Sequence, residues 1–347
     1  MNDSLQLYNN ELSIITKPIP KVNNPDDVLI RVAYSGICGT DLHIIAGEFP
    51  SSTKALTLGH EFSGVIEKVG SSVTTFKPGD RVVVNPNNNC NKCSWCRKGN
   101  PHFCTKGRNQ TAIGVWKNGG WANYCRVPEN LVYHLPHQIP FRNGIFIEPI
   151  SCVLRGWNQI EFVSQQARIL VIGAGIIGLL WSSFLHYKGF RKMNLSEISK
   201  DRGEIAKNME LGLEVFSPDQ LLQQFEDGGD GFDLIIDCSG SPKAIEEAFN
   251  MTNSGATLLL FGVCPKESKI NINPFEVFIK ELKIVGSLIN PFTFEASISA
   301  VQAMERYLSY EKLGVDIFTL QDYTVALEKL KNGQVSKSVF KLDFNVE

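Results

Sequence analysis

The chain carries almost no net charge. Thirty-four basic and 36 acidic side chains leave −2 over 347 residues, so no broad electropositive surface for nucleic acid is expected. No apolar run is long enough to cross a bilayer; the best candidate is broken by glycines around Gly173. Met1–Asn10 holds no basic segment leading into an apolar stretch, which predicts no secretory signal. Phe344-Asn345-Val346-Glu347 matches no common lipidation or peroxisomal address. A cytoplasmic protein with neither membrane nor nucleic-acid partners is therefore expected. Internal repeats and low-complexity tracts are also missing. The nine cysteines are odd in number and four crowd between Cys90 and Cys104, which argues against a disulfide framework. In a reducing compartment such crowding predicts thiolate ligands.

What is present reads as an ordinary globular chain, 43% apolar and 20% charged, long enough for two domains. Val28–Tyr34 and Phe62–Val69 are short, β-branched and roughly alternating. The turn Pro78-Gly79-Asp80 feeds the strand-like Arg81–Val84. These elements can close into a small barrel-like domain over residues 1–154. A polar, cysteine-containing excursion at residues 85–107 needs a local organiser.

The pattern changes near Ala167. Arg168–Ile172 is a nearly continuous apolar strand, as in a parallel sheet covered on both faces. Strands near Asn194–Glu197, Phe232–Asp237 and Ala256–Phe261 alternate with helices at Leu179–Tyr187, Asp201–Leu211 and Pro242–Met251. This alternation predicts a doubly wound α/β domain over residues 155–290. Residues 291–347 predict helices at Phe294–Tyr307 and Tyr323–Lys331. A closing strand, Lys337–Leu342, can return to the first domain.

Gly173-Ala-Gly175-Ile-Ile177-Gly178 fits a dinucleotide-binding fingerprint between strand and helix. Gly173 permits the turn, Gly175 leaves room for the pyrophosphate and Gly178 brings the helix onto the sheet. The helix N-terminus then offers backbone donors to the phosphates. Glu197, 19 positions beyond Gly178, can accept from the adenosine ribose hydroxyls and would repel a 2′-phosphate. NAD is thus preferred to NADP, although Lys200 and Arg202 are basic groups able to hold that phosphate. Arg202, Val263 and Leu288 complete the expected cofactor-binding set. The turns Asp237–Gly240 and Phe261–Cys264 are expected to line the same crevice.

Cys90, Cys93, Cys96 and Cys104 suit tetrahedral zinc that staples a loop with little core of its own. An iron–sulfur cluster is the lesser alternative. A second constellation is dispersed: Cys38 in Gly36-Ile-Cys-Gly-Thr-Asp-Leu-His43, His60 and Glu61 after Gly59, and Glu148 in Ile147-Glu-Pro149. Mixed sulfur, nitrogen and oxygen donors are typical of zinc with an open position. Read alone, Cys38 is equally a core thiol, and His60 and Glu61 can simply close a turn.

These motifs, with Gly119-Gly-Trp-Ala-Asn-Tyr124, resemble the zinc-dependent medium-chain alcohol and polyol dehydrogenases over essentially the whole chain, in the sorbitol- and arabinitol-dehydrogenase-like branch. The resemblance implies a discontinuous, β-rich GroES-like catalytic domain built from both chain ends around a Rossmann domain. It implies one catalytic zinc held by Cys38, His60 and Glu61, with Glu148 binding directly or through water. A structural zinc in the four-cysteine lobe completes the set. Cys152, four residues beyond Glu148, is read as a packing residue.

The implied reaction moves hydride between an alcohol and NAD, with zinc acting as a Lewis acid toward the alcohol oxygen. Thr40 and His43 are expected to relay the proton outward, with Glu148 beside the reacting centre. The substrate expectation is a secondary alcohol or small polyol interconverted with its ketone. Sorbitol itself is doubtful, because Ile289 and Asn290 stand where sorbitol enzymes commonly carry arginine and tyrosine. A less polar primary or secondary alcohol is the competing substrate, and a noncatalytic NAD-binding structural protein the competing role. The resemblance also implies a homodimer or homotetramer paired near Leu282–Leu288.

Overall fold

The computed structural model describes residues 1–52 and 54–343, with backbone alone at 108 and 109. The C-terminal tetrapeptide 344–347 lies outside the described residues. Among the described residues the strands form three sheets.

Ile169–Ile172 is apolar and buried at every position, as a strand between two helical layers must be. It lies in the middle of an all-parallel, six-stranded sheet. The spatial order is Glu214–Phe216, Met193–Ser196, Ile169–Ile172, Phe232–Asp237, Thr252–Leu260 and Lys283–Gly286. Counted along the chain, the order reverses between the first strand, Ile169–Ile172, and the fourth, Phe232–Asp237. A crevice opens at the carboxyl ends of such a pair. The intervening helices start on side-chain caps: Ser199, Ser217 and Ser241 accept from the N–H groups of Arg202, Gln220 and Ala244. The strand Glu214–Phe216 and helix Pro218–Glu226 were not among the sequence expectations. The expected helix at Phe294–Tyr307 ends at Ala303, and Glu305–Tyr307 continues as a 3₁₀ turn.

The second sheet draws on both ends of the chain. Its order is Val315–Phe318, Lys337–Lys341, Asp27–Gly36, Phe62–Val69, Arg81–Val84 and Val132–His134, with Tyr124–Pro128 also pairing Asp27–Gly36. Lys337–Lys341 returns antiparallel, setting Val339 opposite Gly36 and Phe340 opposite Ser35. The domain built around this sheet is therefore discontinuous, as expected. A third, antiparallel sheet joins Glu11–Lys17, Asn2–Tyr8 and Leu56–Thr57.

Helix Ile147–Trp157 ties the two larger units together. Ile147, Ile150 and Val153 are fully buried in one core with Val171, Leu179 and Trp181 of the parallel-sheet domain. Burying each such side chain contributes about 1.5–3 kcal/mol. Glu148 thus rides on an element with little freedom to shift.

Candidate active site

Strand Asp27–Gly36 delivers Cys38 to the start of a short helix, Gly39–Ile45. Asp41, in the first turn of that helix, accepts the Cys38 N–H through Oδ2 at 2.8 Å. Its other oxygen, Oδ1, faces His60 Nδ1 at 3.4 Å, and neither atom has a better partner. This leaves the other imidazole nitrogen for a metal, in the carboxylate–histidine arrangement that orients metal-bound histidines. His60 and Glu61 immediately precede strand Phe62–Val69. Ligand atoms of Cys38, His60 and Glu61 lie within 4.8 Å of one another.

Glu61 also faces a buried lysine. Lys337 Nζ stands 2.5 Å from Glu61 Oε2, both side chains being almost fully buried, and donates to the Ile37 carbonyl at 3.2 Å. Gly36 makes room for this pair, since a Cβ there would stand 2.4 Å from Glu61 Oε2. Burial works against the Lys337 charge, but Glu61 outweighs it and holds the ammonium above its ordinary pKa.

Acidic groups outnumber cations here. Burial pushes the Glu148 carboxyl up to about 7, and Glu61 adds to the rise against the pull of His60 and Lys337. Burial and the neighbouring Glu148 also drive the Cys152 thiol well above its usual value. A thiol, an imidazole and a carboxylate in an acid-rich pocket suit a zinc dication. Glu148 stands outside the three-residue set; its Oε1 accepts from the Cys152 thiol at 3.6 Å.

Thr40 and His43 lie three residues apart on helix Gly39–Ile45 and so share a face. Thr40 is half-buried, whereas His43 is 46% exposed and pairs through Nδ1 with Glu48 Oε2 at 2.7 Å. One end of this pair sits near Cys38 and the other meets water.

The predicted thiolate cluster also assembles. Cys90, Cys93, Cys96 and Cys104 place their sulfurs within 4.8 Å of one another. Backbone N–H groups of Lys92 and Cys93 lower the Cys90 thiol to about 6. Such donors stabilise thiolate, the form that binds metal.

At the strand reversal a cavity of about 680 Å³ is lined by Gly173, Gly175, Glu197, Arg202, Cys238 and Ser239, among others. Glu197 accepts from the Ala174 N–H at 2.6 Å and the Ser199 N–H at 2.8 Å, tying the glycine turn to the neighbouring strand. Arg202 donates through Nη2 to the Leu330 carbonyl at 3.2 Å. Ile177 and Gly178 lie behind the turn in helix Ile176–Tyr187. Val263 and Leu288 are outside this cavity and exposed.

Residues 24–137 match the alcohol dehydrogenase GroES-like domain, and residues 177–306 match the zinc-binding dehydrogenase domain. The chain is 30% identical over 342 residues to D-arabinitol dehydrogenase 1 of Uromyces fabae, covering 95% of this chain and 94% of that protein. It is 34% identical over 266 residues to D-altritol 5-dehydrogenase of Agrobacterium fabrum, covering 76% and 77%. Among solved structures, 2R,3R-butanediol dehydrogenase of Bacillus subtilis superposes with a TM-score of 0.87 at 26% identity, covering 99% and 100%. An alcohol dehydrogenase of E. coli CFT073 complexed with NADH gives 0.86 at 28%, covering 98% and 99%.

The chain belongs to the zinc-binding medium-chain dehydrogenase family. As a member of that family it is a zinc-dependent, NAD-linked oxidoreductase. Two residues of this dehydrogenase's site escaped the sequence reading. Asp41 was visible inside the Cys38–His43 motif but carried no assigned role. Lys337 gave no local signal, because only the return of the last strand brings it to Glu61. Asn290 is also committed elsewhere: it is 1% exposed and bonded to Asn85, Asn87 and Ser151. Its amide is held within the protein rather than offered to a substrate hydroxyl.

Proposed function

We propose that this dehydrogenase interconverts a small polyol or secondary alcohol with the corresponding ketone, using Cys38, His60 and Glu61 to hold the catalytic zinc. The convergence of those three ligands in an acid-rich pocket carries the reading. Zinc there supplies Lewis-acid polarisation of an oxygen. Asp41 orients His60, and Lys337 offsets the Glu61 charge. Thr40 takes the alcohol proton and His43, backed by Glu48, releases it to solvent. Glu148 stays beside the reacting centre, where its raised pKa lets it hold or release a proton near neutrality. The crevice at the strand reversal takes the dinucleotide, with Gly173, Gly175, Ile177, Gly178, Glu197 and Arg202 around its adenosine and pyrophosphate. Val263 and Leu288 reach its nicotinamide end. The four-cysteine lobe, residues 85–107, holds the structural zinc.

A polyol is favoured by likeness to enzymes named for D-arabinitol and D-altritol. A less polar alcohol is the second reading, supported by the commitment of Asn290 and by the apolar neighbours Ile289 and Phe292. The decisive assay screens anaerobically prepared, metal-replete protein with NAD and NADP against short alcohols and C4–C6 polyols. Turnover of polyols with NAD is expected. A full complement of zinc with turnover of no alcohol or carbonyl would reject the proposal.

The edge strand Lys283–Gly286 supports pairing of two chains. Phe275, Phe278 and Ile279 expose apolar surface on the preceding helix, and Leu288 and Phe292 do so just beyond the strand. Sedimentation should give a dimer or tetramer. The nine unbridged cysteines support a cytoplasmic setting. Among the described residues no helix is long and apolar enough to cross a membrane.

A further inference from the structure

A groove of about 660 Å³, lined in part by Thr57 and Gly119, shares no lining residue with the dinucleotide crevice. Its floor is polar and buried. Along strand Asn2–Tyr8 the side chains of Asn2, Ser4 and Gln6 share one face and line the groove, while Leu5 and Leu7 enter the core. Thr57 joins them, and none of the four exceeds 7% exposure. Buried polar side chains persist only where they are bonded. Here Gln6 donates to the Thr57 hydroxyl at 3.4 Å and accepts from Lys17 Nζ at 2.8 Å.

Four basic residues, Lys17, Lys21, Lys117 and Arg126, line the groove against Asp26 and Asp27. Asp27 is already engaged, accepting from the N–H groups of Asn23 and Asn24 and facing Arg126 at 3.6 Å. Among the described residues Lys17, Lys21 and Lys117 form no ion pair. A concave polar wall focuses their field. An apolar ligand would strip water from the floor, a cation would be repelled, and a neutral ligand would leave the ammoniums unanswered.

We propose that this groove is a second binding site, for a small multivalent oxyanion of the phosphate class, and that its occupancy is transmitted to the His60 segment. Thr57 lies three residues before His60, and the wall segment is laced to it. Gly119 donates to the Thr57 carbonyl at 2.8 Å, Gly120 to Gly59 at 2.7 Å and Trp121 to Leu58 at 3.0 Å. Asn118 Oδ1 accepts from the Thr57 N–H at 3.0 Å. There is no slack at this contact: a Cβ on Gly119 would stand 2.1 Å from the Gly59 carbonyl oxygen. An anion drawn between Lys17 and Lys117 shifts a wall that cannot move without Gly59 and His60.

The test titrates inorganic phosphate, pyrophosphate and a pentose phosphate into zinc-loaded full-length protein by calorimetry, at constant ionic strength set with chloride. Saturating NAD fills the other phosphate-binding crevice. One saturable site per chain is expected, and the tightest of the three anions identifies free phosphate or a phosphorylated metabolite as the source. Lys17→Ala combined with Lys117→Ala should weaken it about tenfold or more. Both side chains are exposed, but Lys17→Ala removes one hydrogen bond from buried Gln6, so retained NAD affinity and an unchanged thermal melt serve as the check that the fold survives. Absence of saturable binding, or equal binding by the double variant, would overturn the site. Occupancy should also change the rate of zinc removal by a chelator about threefold in the parent protein and not in the double variant. Binding with an unchanged removal rate would overturn the transmission to His60.

Discussion

Asn290 donates through Nδ2 to the Ser151 hydroxyl at 2.7 Å, and Ser151 in turn donates to the Glu148 carbonyl. Asn87 donates to Asn290 Oδ1 at 2.8 Å from the other side. One side chain thus joins the entrance of the four-cysteine lobe to the helix bearing Glu148. It does so between Ile289 and Phe292, two non-glycine residues at positive φ of 44° and 62°. Such backbone persists only where its surroundings hold it. Asn290→Ala should lower stability by about 1–3 kcal/mol, because buried Ser151 and the part-buried Asn85 and Asn87 each lose a partner. Denaturant unfolding checks this, and steady-state kinetics should show a reduced kcat with little change in substrate KM. A raised KM with unchanged stability would instead mean that Asn290 binds substrate.

Lys337 and Glu61 form an ion pair in which both side chains are almost fully buried. Lys337→Met should destabilise metal-stripped protein by about 3–5 kcal/mol, the usual result of leaving a buried charge alone. Bound zinc offers Glu61 another counter-charge, so the loss should be smaller in metal-replete protein. Parallel unfolding curves with and without a chelator measure the difference.

Two glycines of the fingerprint should respond in opposite ways. A Cβ at Gly178 would stand 1.8 Å from the Gly173 carbonyl oxygen, whereas a Cβ at Gly175 meets nothing within 4 Å. Gly178→Ala should therefore lower both the unfolding midpoint and NAD affinity. Gly175→Ala should keep the midpoint and weaken NAD binding alone, as the proposed seat of the pyrophosphate in that open space requires. Thermal melts beside NAD titrations separate the two.

Asp27 supplies a pH dependence. Burial raises its carboxyl pKa, but hydrogen bonds from Asn24 and Asn23 and the nearby Arg126 outweigh it and hold the value below 3.8. A depressed folded-state pKa contributes stability that is present above the unfolded value and lost as pH falls through the folded one. Asp27→Asn should therefore be less stable than the parent at neutral pH, with the gap closing below pH 3.8. Urea unfolding across that range provides the check.

Much of the architecture was legible because its signals are local. Ile169–Ile172 is uniformly apolar, Gly173–Gly178 sits between strand and helix, and four cysteines fall within 15 residues. The missed strand Glu214–Phe216 is too short for a period to show. The missed helix Pro218–Glu226 did carry a signal, the capping box of Ser217 and Gln220. Asn290 was placed by likeness to a substrate-facing position, which says nothing of where an amide turns.

By itself the sequence determined the two-domain order, the dinucleotide fingerprint and the thiolate cluster, since each depends on neighbours a few residues apart. Tertiary structure alone decided that Lys337 answers Glu61 and that Asn290 bonds inward. Those pairings join residues up to 276 positions apart. Their energies depend on burial and angle, which exist only once distant segments have packed together.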